Sequence, residues 1–316
     1  MPDRSPHPDF GHNPEAMQGF SLNDVERGYI KAIGDRQRID PLSFKDYDQT
    51  MVRADLLKVK QYKEKNAKTD TAFKLEMLKL VGGSEHLIST MIEDCGWMGN
   101  EAEVVDSSEY DDFINGIDSI AKLAGGNSYL GLAFDFTFDS DAVNKIKRIH
   151  NEIDNGELPV VKYLETDTFK GQMVVARVII SLDRLVINDL MSKKLDLDRY
   201  RKLLRSATID KQTYEKYKQK VNELSTDLAN YPLQIDILNQ IIAQVEEYLE
   251  RVLSKPEGRK NRGTFISLYD STLSITRSLL EQKQKDVVFE DSYLRQAGQL
   301  YIHGEEKIEQ LLSKAK

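Results

Sequence analysis

The period of the hydrophobic pattern changes along this chain, and those changes limit the fold more than any single motif does. From residue 71 to 96 apolar side chains recur at helical spacing: Phe73, Leu75, Met77, Leu78 and Leu80, then Leu87, Ile88, Met91 and Ile92. From 102 to 138 the pattern alternates. Ala102–Val105, Gly116–Leu123 and Tyr129–Phe138 read as strands, with a Gly-rich turn at 124–128 between the last two. Residues 139–154 return to helical spacing through Val143, Ile146 and Ile149. Pro159–Leu164 and Met173–Leu182 are strands again, and the second is so continuously apolar that both of its faces are expected to be buried. From Asp183 onward the chain reads as helical. The order helix, three strands, helix, two strands, helix predicts an α/β protein with a mixed central sheet rather than a helical bundle.

Four parts are expected: a flexible leader at 1–20, an N-terminal helical segment at 21–66, an α/β core at 67–195 and a C-terminal helical region at 196–316. Gly82-Gly83 is read as a break, with Ser84 capping a new helix that stops near Gly96. Leu238, Ile241, Val245, Tyr248, Leu249 and Val252 form one stripe, which serves either as core packing or as a homodimer interface through the C-terminal helices. The loop with Arg259, Lys260 and Arg262 either contacts phosphates or is simply solvated.

No apolar run nears the roughly 20 residues of a membrane span, and the first residues lack a signal peptide's apolar centre. A cytoplasmic location is expected. Cys95, the single cysteine, excludes an internal disulfide and a cysteine-based zinc site. The net charge of −8 disfavours non-specific coating of duplex DNA, yet it is compatible with a local basic patch or with a carboxylate cluster that holds a cation.

Side chains alternate across a strand, so Phe134, Phe136 and Phe138 face one way while Ala133, Asp135 and Thr137 face the other. The phenylalanines must be core, which leaves Asp135 in need of a hydrogen-bond partner, a cation or water. Asp118 lies on the preceding strand, and a tight hairpin sets both acids on the same face. Two close carboxylates repel unless a proton or a cation intervenes, and Mg²⁺ or Mn²⁺ suits such an oxygen site. The bland alternative is that Asp118 is a turn residue after Asn115-Gly116 and Asp135 bonds the nearby backbone. Glu109, Asp111 and Asp112 either extend the acidic cluster or belong to an exposed loop, the latter preferred for Glu109. His86 and His150 lack ligand spacing, and the glycine pairs match no phosphate-binding loop.

The element order and these residues together resemble the PD-(D/E)XK, or restriction-endonuclease-like, nuclease superfamily. Asn115-Gly116-Ile117-Asp118 is similar to its first acidic motif, and Asp135-Phe136-Thr137 stands in the place of its D/E-x-K triplet. Glu85, in Gly83-Ser84-Glu85-His86-Leu87-Ile88, resembles the acid of its first helix, and Gly96-Trp97 resembles that helix's end. The likeness covers roughly residues 71–193. It implies an αβββαβ core and metal-dependent hydrolysis of phosphodiester bonds, with DNA expected ahead of RNA. Asp118, Asp135, the Phe136 carbonyl and Glu85 would hold the metal. The motif lysine is absent, since Thr137 occupies its position. Lys122 is the first candidate to replace it as a catalytic residue, with Lys145 and Lys162 behind. The rival reading is an inactive nuclease-fold scaffold or binding protein that acts through its helical C-terminal region.

Overall fold

The computed structural model describes residues 21–286, apart from 35–37, 68–70, 126–127, 139–141, 168 and 207–208, together with 310–315. The expected leader at 1–20 lies outside the described residues. Three helices precede the sheet: α1 (Asp24–Ile33), α2 (Gln49–Ala67) and α3 (Ala72–Asp94). Asn23 and Glu26 close a reciprocal cap on α1, which fixes its start. Strands β1 (Glu103–Asp106), β2 (Ser119–Gly125) and β3 (Ser128–Thr137) form an antiparallel meander, and helix α4 (Ala142–Asn155) follows. A separate hairpin, β4 (Val160–Glu165) and β5 (Lys170–Val174), precedes β6 (Ala176–Ser181). β6 joins the first sheet parallel to β3, so the strand order is β1-β2-β3-β6. Helices α5 (Arg184–Leu204), α6 (Lys211–Ala229), α7 (Leu233–Leu253) and α8 (Arg262–Asp286) follow, and residues 310–315 are helical, with Leu311, Leu312 and Ala315 in the larger core. The chain is thus a mixed α/β protein with a four-stranded mixed sheet.

The sheet separates two apolar layers. Phe134, Phe136, Leu132 and Val178 join Ile146, Ile149 and Ile153 of α4 in the larger core, as the alternation of β3 predicts. Ala133 and Ile120 face the other way, where Val161 and Leu164 of β4 cover them. Gly131 makes that second contact possible: a Cβ there would stand 2.7 Å from the Met173 sulfur and 2.8 Å from Val175.

Several sequence expectations change. α3 runs unbroken through Gly82-Gly83, and Ser84 is no cap, because its hydroxyl donates to the Leu80 carbonyl at 2.8 Å. The bare backbone at Gly83 is a packing device, with Ile30 of α1 and Met191 of α5 lying 3.0 and 3.4 Å from where a Cβ would sit. The apolar run Met173–Leu182 is two strands in two sheets, parted at Val175, whose N–H donates to the Pro159 carbonyl at 3.1 Å. Only the β6 half is buried throughout. The boundary drawn at 195/196 falls inside α5, so the helical region is no appendage.

α7 shows why. Among the described residues β6 has no strand on its outer side, and two glutamines of α7 take that place. The Ile179 N–H donates to Gln244 Oε1 at 2.9 Å, and Gln244 Nε2 donates to the Ile179 carbonyl at 2.7 Å. Gln240 repeats the exchange on Ser181 at 2.9 and 3.1 Å. One turn of helix separates the two amides, which matches two residues of strand closely enough to satisfy four buried backbone groups. The Leu238–Val252 stripe accordingly lies in the internal core.

Candidate active site

Asp118 is set by the turn in front of β2. Residues Asp111–Asn115 form a single π-helical turn that ends on Gly116 in the left-handed conformation, at φ 67°. Buried Asp111 anchors it: its carboxylate accepts from the backbone N–H groups of Lys162 and Tyr163 at 2.8 and 3.0 Å, from Ser108 at 2.8 Å and from Asn115 at 2.7 Å. Burial raises the Asp111 carboxyl, while these four bonds pull against that rise. The Asn115 carbonyl accepts from both Arg177 (2.8 Å) and Arg148. Arg177 in turn pairs with Glu152 on α4 at 2.9 Å. Asp111 and Asp112 are therefore bonded parts of the support and no exposed loop, whereas Glu109, expected in an exposed loop, keeps 41% of its side chain exposed and pairs with Lys63.

The N–H of Asp118 donates to the Phe134 carbonyl at 2.9 Å, one residue out of the register in which Ser119 pairs with Phe134, so the regular pairing ends at Ser119. Asp118 and Asp135 line the same cleft, close enough that the charge of Asp135 acts on Asp118. Its Oδ2 accepts the Phe136 N–H at 2.7 Å. Burial pushes the Asp118 carboxyl well above the usual aspartate range, and the charges of Glu85, Asp135 and Asp112 push it further. Glu85 is itself buried on α3. Glu85, Asp118 and Asp135 thus line one cleft between α3 and the strands β2 and β3.

Lys145 answers that negative charge. One turn into α4, its ammonium donates to Asp135 Oδ1 and, at 3.0 Å, to the Phe136 carbonyl. Both partners are nearly closed off, with 13% of the Lys145 side chain and 6% of the Asp135 side chain exposed. A cleft of about 450 Å³ opens above, lined by Glu85, Asp118, Asp135, Phe136, Thr137 and Lys145. Arg38, Lys63 and Asp112 also line it, with Arg38 bonded to Asp112.

The other candidate lysines lie elsewhere. Lys122 pairs with Glu103 across the β1–β2 register at 3.1 Å and lines a separate apolar cavity of about 270 Å³ with Ile120, Gly131, Phe169 and Met173. It does not line the cleft that holds Asp118 and Asp135. Lys162 is held by Asp55. His150 is buried against Glu247 at 2.7 Å, and burial raises the Cys95 thiol, so neither offers a nucleophile–base pair.

No family model, curated protein or solved structure matches this chain. The site must therefore be judged on its own chemistry. Among the described residues no group of three or more His, Cys, Asp or Glu side chains is arranged to hold a metal ion by itself. Asp118, Asp135 and the Phe136 carbonyl nevertheless offer the hard oxygen donors that Mg²⁺ takes when it keeps several of its own waters. Two of those three groups already share one cationic ligand, the Lys145 ammonium. The donor set fits such an ion. No helix among the described residues is long and apolar enough to cross a membrane.

Sequence reading missed Arg38, Lys63 and the anchoring role of Asp111. Arg38 meets Asp112 across 74 residues and Asp111 meets β4 across 51. No local pattern signals contacts of that range.

Proposed function

We propose that this chain is a metal-dependent nuclease of PD-(D/E)XK type, in which Lys145 supplies from α4 the ammonium that the motif carries two residues after its second acid. The observation that carries the reading is the contact of Lys145 with Asp135 and the Phe136 carbonyl, beside Asp118 and Glu85 and beneath an open cleft. Asp118, Asp135 and the Phe136 carbonyl would hold the ion, with Glu85 completing or orienting the shell. A divalent cation there would supply Lewis-acid charge to the scissile phosphate.

The protein's own groups account for the rest. The Lys145 ammonium would donate to a phosphate oxygen as negative charge builds on it. Glu85 would take a proton from the attacking water, whose oxygen bonds phosphorus as the bond to the leaving oxygen breaks, and would return it through solvent. That leaving oxygen then takes up a proton. Elevation of the Asp118 carboxyl means that it binds a cation most readily after losing its proton, so metal affinity should rise with pH.

The test uses purified full-length protein with single- and double-stranded DNA and RNA, in Mg²⁺, Mn²⁺ or EDTA. Cleavage should need the metal and should vanish in Asp135→Ala and Lys145→Met. Titration calorimetry should show Mg²⁺ binding by the wild type and none by Asp118→Ala/Asp135→Ala. The inactive-scaffold reading has one observation in its favour: Lys145 engages the oxygens a metal needs, as in a site that has exchanged its metal for an ammonium. Absence of both Mg²⁺ binding and cleavage on every substrate would establish that reading instead.

A further inference from the structure

The charge of this chain is unevenly placed. Residues 193–220 carry ten basic and four acidic side chains, a balance of +6 in a chain whose total is −8. That segment is the outer part of the α5–α6 hairpin, whose two helices meet through Tyr200 and Tyr217, with ring centroids 5.6 Å apart. Its root is fixed to the core. Met191 lies against Gly83 of α3, and the Tyr231 hydroxyl donates to Asp189 at 2.9 Å. From Met191 to the end of α5 the helix continues for roughly 20 Å.

The acids near the root are spent on neighbouring cations. Asp189 holds Lys193, Asp198 holds Lys194, Asp196 holds Arg199 and Glu223 holds Lys220. Asp210 caps α6 through the N–H groups of Gln212 and Thr213, and the fourth acid of residues 193–220, exposed Glu215, makes no ion pair among the described residues and lowers the local charge by one. Among the described residues that leaves Arg201, Lys202 and Arg205 at the end of α5, and Lys211, Lys216 and Lys218 at the start of α6, with no acid partner. Lys202, Arg205 and the three α6 lysines are exposed. Lys211, Tyr214 and Lys218 share one helix face by their spacing, over about 10 Å, and Tyr214 is 41% exposed. The ammonium of Lys283, near the end of α8, adds to the same field, since it and Arg201 both act on the Cys95 thiol.

We infer that the end of the α5–α6 hairpin is a nucleic-acid-binding arm that grips the phosphate backbone independently of the cleft. Cations spread over two helices without partner acids match a polyanion with closely and evenly spaced charges. An anionic membrane surface is a poorer fit, because a helix that lies on lipid needs an exposed apolar face, and Tyr214 is the one large apolar side chain of this segment that stands well exposed among the described residues. The inference rests on the hairpin's charge and not on the nuclease reading.

The test is fluorescence anisotropy on the full chain in EDTA, which keeps metal-dependent cleavage out of the measurement. The probes are a labelled 30-base-pair duplex and the matching single strand, titrated at stepped NaCl. The wild type should bind, and Lys211→Gln/Lys216→Gln/Lys218→Gln should lose roughly tenfold or more in affinity at 100 mM salt. Its log–log salt slope on the duplex should fall by about 3, close to one per phosphate contact removed. Arg259→Gln/Lys260→Gln, on the other basic loop, should bind as the wild type does, and circular dichroism should show all variants folded. Wild-type affinity and slope in the triple variant would overturn the assignment. So would the absence of binding by the wild type, or tighter binding to phosphatidylserine vesicles than to either oligonucleotide. Binding is read without metal, so a chain that binds but never cleaves would fail the nuclease proposal alone, and one that cleaves without using the arm would fail this one alone.

Discussion

Replacing Lys145 by Met removes a cation from a nearly closed cluster of acids while keeping most of the side chain's length. Asp135 would lose its ammonium partner, the Phe136 carbonyl would lose a donor at 3.0 Å, and Asp118 and Glu85 would face Asp135 with no positive charge between them. Breaking a buried pair on one side costs about 3–5 kcal/mol, because the remaining charge stays in place without compensation. For a chain of this size that corresponds to a fall in the thermal midpoint on the order of 5–10 °C at pH 8. Asp135→Asn should also destabilise, since it strands the ammonium. The double variant should lose less than the two single losses combined, with a coupling energy of about 2 kcal/mol. The loss in Lys145→Met should shrink at pH 5, because Asp118, raised by burial and by Glu85 and Asp135, can take up a proton in place of the missing ammonium. Millimolar Mg²⁺ should restore stability to Lys145→Met more than it adds to the wild type, since the ion enters the same group of oxygens. Urea denaturation of the four proteins at both pH values is the measurement. Strict additivity, or a loss below about 1 kcal/mol for Lys145→Met at pH 8, would falsify the account of Lys145 as the cation that neutralises this site.

Other outcomes follow from the supports around the cleft. Gly116→Ala forces a side chain into a left-handed backbone and against the Arg148 guanidinium, so urea midpoints should report a loss of about 1–3 kcal/mol; an unchanged midpoint would show that the turn adapts freely. Gln244→Leu leaves the Ile179 N–H and C=O unsatisfied inside the protein, and at about 1–3 kcal/mol for each group the loss should be about 2–5 kcal/mol. Amide exchange at Ile179 should speed up in that variant, and protection equal to the wild type's would refute the edge-closing role. Burial alone would raise the Asp55 carboxyl, but hydrogen bonds from Lys162, Lys58 and Tyr163 outweigh it and hold the group below its ordinary value of 3.8. The stability this adds is complete above pH 3.8 and is lost as pH falls through the lowered folded value. Asp55→Asn should therefore be less stable than the wild type at pH 7, with the gap closing in strong acid; a gap that stays constant between pH 7 and pH 2 would mean that ionisation of Asp55 is not its source. Glu85→Gln removes one of the charges that raise Asp118, so Asp118 should titrate lower by carboxyl-resolved NMR, and an unmoved titration would place Glu85 outside its field.

The sequence by itself determined the elements that have strong periods and short reach. Alternation fixed the sides of Phe134, Phe136 and Asp135, because a strand leaves its residues only two faces. A short turn between two strands also made the nearness of Asp118 and Asp135 legible, since a hairpin brings neighbouring strands together without distant help. Elements whose reading depended on neighbours were not legible. Gly82-Gly83 looks like a break until Ile30 and Met191 are seen to need the space, and Met173–Leu182 looks like one strand until two sheets claim its halves. Sequence position alone puts Lys122 ahead of Lys145 and Lys162, because a long flexible side chain carries no directional signal to correct that order. Tertiary structure chose among them by giving Lys122 to Glu103, Lys162 to Asp55 and Lys145 to Asp135. The same holds for Gln240 and Gln244, polar residues within an apolar stripe, whose reason appears only when α7 meets the open edge of β6. Local pattern follows from backbone geometry repeated every two or four residues. Pairing across dozens of residues depends on which surfaces the completed fold brings together, and nothing in a sequence window records that.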